Sequence, residues 1–156
     1  MATVRLEISP TAAHVRTARL VAVAVARRSG LEEPVLDEIR LAVGEACSRA
    51  VGLHQQHHNT DPVVLDLQDA PQFTVVVTDT ADTGLQPGDL GLTGDAQAPD
   101  PVEIAQQETA VNGADLSEEV IVAGVGLALI AGLVDDLEVG TGFGGRGTSV
   151  KMTWPL

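Results

Sequence analysis

The chain has one cysteine, no tyrosine, and only Phe73, Phe143 and Trp154 as aromatics among its 156 residues. A lone thiol, Cys47, has no internal partner, so a disulfide scaffold is excluded and a cytoplasmic setting is expected. Too few aromatics remain to build a platform for stacking bases. Basic residues are scarce as well: nine Lys and Arg stand against 22 Asp and Glu, for a net charge of −13. Neutralising nucleic-acid phosphates needs clustered cations, so a nucleic-acid partner is excluded. A basic protein surface suits such a charge better, although acidity also serves plain solubility. Long apolar runs are missing too, each being broken by Gly or Arg well short of the roughly 18 residues a membrane span needs. The start, MATVRLEIS, has no basic region leading into an apolar run, so neither a signal peptide nor a membrane segment is expected.

What is present suits one domain over 1–156, long enough to bury roughly 70% of its unfolded surface without disulfide or metal support. Thr3 to Ile8 alternates apolar and polar like a half-buried strand. Ser9-Pro10-Thr11 then opens a helix of Ala, Val and Arg that runs to about Ser29 and is ended by Gly30. Pro34 fits the first turn of a second helix, on which Leu36, Ile39, Val43, Cys47 and Ala50 recur at steps of three and four. Cys47 therefore reads as a small core residue. Beyond the polar turn HHNTDP, Val63 to Leu67 and Phe73 to Thr78 are extended runs joined by the turn residues Asp69-Ala70-Pro71-Gln72.

From Asp79 to about Ser117 the composition changes to five glycines, three prolines and many small or acidic residues. This segment, about 80–117, reads as a lid, with one short helical candidate at Pro101 to Val111. Glu118 to Val134 follows as an apolar helix containing Gly124 and Gly126, then a strand at Leu137 to Val139, the turn GTGFGGRGT and a last strand at Ser149 to Trp154. No internal repeat is visible. This order predicts an α/β two-layer sandwich, a mixed, mostly antiparallel sheet with helices on one face.

Four short segments carry a family signal by their order and spacing. Ile39 to Val51 reads IRLAVGEACSRAV; Val75 to Gly84 reads VVVTDTADTG; residues 124 to 127 read GVGL; Gly147 to Val150 reads GTSV. Together they resemble the boxes of the histidine-kinase-like ATPases, and most closely the anti-sigma-factor serine kinases. The resemblance spans nearly the whole chain and implies the same sandwich fold.

It also implies roles. Glu45 would prepare the attacking group as catalytic base, and the residue one turn later would hold Mg²⁺. Asp79 would accept a hydrogen bond from the amino group of adenine. Gly84 belongs to the same box. Gly124, Val125, Gly126 and Leu127 would bring the backbone and a helix N-terminus to the phosphates, or else two glycines there simply allow close packing. Gly147 and Thr148 would support the adenine site from the last strand, or form an ordinary turn.

Two boxes depart from the pattern. Ala81 and Thr83 fill the glycine positions after Asp79, with Gly84 one place late, and each added Cβ restricts positive φ. At the metal position stands Arg49 instead of Asn. A guanidinium has no acceptor for Mg²⁺. Arg49 could instead neutralise a triphosphate, but the favoured reading is an exposed i,i+4 pair with Glu45. ATP or ADP binding is thus expected to be weakened, and Mg²⁺ is doubtful.

His54, His57 and His58 place two imidazoles on one helical face, yet no Glu lies between them as in zinc proteases, and a frayed polar helix end explains HQQHH. No Ser lies in a G-x-S-x-G turn, which argues against a hydrolase triad. The resemblance therefore implies a regulatory protein of a bacterial partner-switching system, binding a sigma factor or an anti-anti-sigma protein, with homodimers common in the family. The rivals are a working ATP-dependent serine kinase and an adenine-nucleotide sensor.

Overall fold

The computed structural model describes residues 2–81, 130–142 and 145–156. Seven elements follow in chain order: β1 (Thr3–Ile8), α1 (Ala12–Arg28), α2 (Glu33–Gln56), β2 (Val63–Gln68), β3 (Phe73–Thr78), β4 (Asp136–Thr141) and β5 (Thr148–Trp154). The strands form one sheet in the order β1-β2-β3-β5-β4. All four described pairings are antiparallel, so no parallel pair is seen where a mixed sheet was expected.

Alternation sets the register. Leu65, Val77 and Val150 lie side by side across β2, β3 and β5, as do Leu67, Val75 and Met152. All six are buried. They face α1 and α2, whose stripes complete the second layer. Phe73 and Trp154 close one end with rings 6.0 Å apart, and the Trp154 indole N–H donates to the Leu133 carbonyl. A fully buried side chain of this size contributes about 1.5 to 3 kcal/mol, so these positions hold the layers together.

The helices start and stop as the sequence predicts, with one difference. Pro34 occupies the first turn of α2, and Gly30, at φ +96°, reverses the chain between the helices. Thr11 is the N-cap of α1, but its side chain makes no capping hydrogen bond. Of the expected Glu118 to Val134 helix, residues 130 and 131 are helical, whereas 132 and 133 form a turn and 134 is not helical, so the helix ends three residues early, at a glycine, Gly132. The Pro101 to Val111 candidate and nearly all of the lid segment lie outside the described residues.

Candidate functional site

The second face of α2 is as regular as the first. Ile39, Ala42, Ala46, Arg49 and Leu53 recur at steps of three and four, and every one of them is buried. Arg49 therefore points inward, to the end of β3. Its Nη1 donates to Asp79 Oδ2 at 3.2 Å, with side chains only 5% and 1% exposed. The expected surface pair between Glu45 and Arg49 is corrected. Glu45 is exposed and lies about 40° round the helix from Arg49, along Leu41, Ser48 and Gly52, in a cleft of about 340 Å³ between α1 and α2. Across that cleft the stem of Arg19 passes directly over Gly44, where a Cβ would come within 2.9 Å of its Cδ. A side chain at Gly44 would therefore require the Arg19 stem to shift.

Asp79 is held from three sides. Its Oδ1 accepts from the backbone N–H of Ala81 at 3.1 Å and of Thr148 at 3.3 Å, while its own N–H donates to the Thr148 carbonyl. Gly147 makes this approach feasible: it sits at φ +69°, and a Cβ there would overlap the Asp79 carbonyl. Asp79, Gly147 and Thr148, singled out from separate boxes, thus meet at one point where β3 ends and β5 begins. Gly84, Gly124, Val125, Gly126 and Leu127 lie outside the described residues.

Burial dominates the electrostatics. Desolvation pushes the Asp79 carboxyl above the ordinary carboxylate range, opposed by the Arg49 charge, the Ala81 N–H, nearby His54 and the Thr148 N–H. The same desolvation lowers the Arg49 pKa, opposed by Asp79. Arg49 Nε is buried without a hydrogen-bond partner among the described residues. Away from this site, burial pushes the Cys47 thiol up to about 12, as suits an inert core residue.

His54 is the residue that sequence reasoning missed. Instead of fraying in a polar helix end, it is fully buried. The Thr80 N–H donates to its Nε2 at 3.0 Å, so the ring proton sits on Nδ1 and is donated to the Asp61 carbonyl at 2.9 Å. Asn59 reinforces the contact by donating to Thr80 Oγ1. The signal was there: His54 continues the stripe of Leu36, Ile39, Val43, Cys47 and Ala50 by one more step of four.

The implied metal does not fit. The residue at its position is a buried, permanently charged donor already committed to Asp79. Among the described residues no group of three or more His, Cys, Asp or Glu is placed to hold a metal ion, and no helix is long and apolar enough to cross a membrane.

Two helices packed on one face of a five-stranded antiparallel sheet define an α/β sandwich. The family model for the histidine kinase-like ATPase domain matches residues 8–154, and the chain belongs to that family. No curated protein matches it.

Proposed function

We propose that this domain is an anti-sigma-type regulatory protein that works by binding protein partners, a sigma factor or an anti-anti-sigma protein, with weakened adenine-nucleotide binding and without metal-dependent phosphoryl transfer. One observation carries this reading: the residue at the metal position is a buried Arg49 paired with Asp79. Positioning and charge neutralisation by the metal supply most of the rate of such a transfer, and a guanidinium fixed on a carboxylate can replace neither. The four sequence boxes point to the partner-switching context.

The active serine kinase keeps one favourable observation, an exposed Glu45 free to meet a substrate hydroxyl. Incubating the purified chain with labelled ATP, Mg²⁺ and candidate anti-anti-sigma proteins separates the two. The regulatory reading expects a stable complex and no label on serine; transferred label at turnover rates overturns it.

A further inference from the structure

We propose that Arg49 is an internal occupant of the base-recognition site, supplying to Asp79 the N–H donor that an adenine amino group would bring, so that adenine nucleotides are excluded while the pair is intact. This rests on the site assignment behind the regulatory reading and adds what governs ligand choice there.

Acceptor inventory gives the first argument. A carboxylate offers two oxygens with about four lone-pair directions. Ala81 and Thr148 engage Oδ1, and Arg49 engages Oδ2 with a charged donor. A neutral amino group competes poorly for that oxygen, because the guanidinium adds an ion-pair attraction that an amino group lacks.

Fixation gives the second. Asp79 cannot turn a fresh face to a ligand, since its backbone is bonded to Thr148 and packed against Gly147. The neighbouring Thr80 N–H is tied to His54. With 1% of its side chain exposed, the carboxylate presents no open acceptor.

The third lies in the pair's form. Arg–carboxylate pairs are frequently bidentate, with two parallel N–H bonds. Here one Nη1 contact is made, and Nε is left buried and unpartnered among the described residues. The pair thus fills the site through a single charged contact in place of a ligand's donor.

The test uses the full chain with ADP and excess EDTA, so that only base recognition is read. Arg49→Asn removes the occupant with a neutral side chain. By calorimetry, Arg49→Asn is expected to bind ADP at least tenfold more tightly than the unsubstituted chain. It should show no such gain for GDP, whose base presents a carbonyl to the carboxylate in place of an amino group. Adding Asp79→Asn should abolish the gain. Equal metal-free ADP affinity in the unsubstituted chain and Arg49→Asn overturns the proposal, as does an equal gain for GDP.

Should Arg49→Asn fail to fold, as judged by circular dichroism, the ¹⁵N resonance of Arg49 Nε in the unsubstituted chain decides. It is expected to stay in place up to millimolar ADP, and a saturable shift there overturns the proposal. Equally weak metal-free ADP binding by the unsubstituted chain and Arg49→Asn, without phosphoryl transfer, would end this inference and leave the regulatory reading standing. Transferred label from ATP, with the tenfold gain still present in EDTA, would do the reverse.

Discussion

Glu45 and Arg49 lie one helical turn apart on α2 and occupy opposite surroundings. Glu45 stands in the open cleft beside α1, while Arg49 is sealed against the sheet with Asp79. A step of four residues advances about 40° around a helix, enough to cross from the water-facing edge of a buried stripe to its interior. Two charged residues that look alike in sequence thus differ in kind. One is a solvated carboxylate whose loss the fold tolerates; the other is half of a buried pair whose separation the fold resists.

Separating that pair is the sharpest way to strain the comparison. Arg49→Met strips a buried carboxylate of its cation, and Asp79→Asn strands a buried cation; each is expected to cost about 3 to 5 kcal/mol at pH 7. Their pH dependence should differ. Asp79 already has a folded-state pKa raised by burial, and losing Arg49 raises it further. A carboxyl with a folded pKa above its unfolded value gains relative stability as pH falls through the folded value, until the unfolded chain also protonates near pH ~4. The stability of Arg49→Met should therefore rise relative to that of Asp79→Asn between pH 7 and 5, because Asp79→Asn keeps no carboxyl here to titrate. Urea unfolding at both pH values checks this, and parallel slopes for the two variants would contradict the assigned pair.

Most of the fold was legible because it rests on period. Alternation located β1, extended runs flanking turn residues located β2 and β3, and the glycine turn marked the start of β5, each to within a residue or so, and the Leu36 to Ala50 stripe fixed which side of α2 faces inward. The site was legible only where a motif coincided with a geometric need. Asp79, Gly147 and Thr148 were named from separate boxes and do meet, since the chain there has to pass the Asp79 carbonyl without a Cβ. Arg49 was misplaced because residue type was allowed to outweigh period. Charged residues are seldom fully buried unless paired, and its partner lies thirty positions away, beyond any local pattern. His54 was passed over for the same reason, although the stripe leads directly to it.

His54 allows an intermediate test. It ties the end of α2 to the turn after Asp79 through two bonds of opposite polarity, one accepted from Thr80 and one donated to Asp61. His54→Phe fills much of the same volume but leaves the Thr80 N–H and the Asp61 carbonyl unmatched, and should cost about 1 to 3 kcal/mol. The loss should be local before it is global. Amide exchange at Thr80 is expected to speed up under conditions where Val75 and Val77, mid-strand in β3, remain protected. Uniform acceleration across β3 would mean that His54 serves the core as a whole and not this turn.

The smallest effect is expected at Glu45, and its smallness is informative. An exposed carboxylate without a described ion-pair partner contributes little to folding, so Glu45→Ala should change stability by no more than about 0.5 kcal/mol. A positioned general base contributes roughly 10²- to 10⁴-fold to the rate of the reaction it serves. If this domain acts by binding partners, the substitution removes a solvated charge and nothing more, and complexes with a sigma factor or anti-anti-sigma protein should form with at most a modest change in affinity. If the domain is a kinase, the same substitution abolishes label transfer while the fold stays intact. Stability measured alongside phosphoryl transfer in this one variant thus decides whether the open cleft holds a catalytic residue or only the water-facing edge of α2, whose buried neighbour Arg49 has already closed the site behind it.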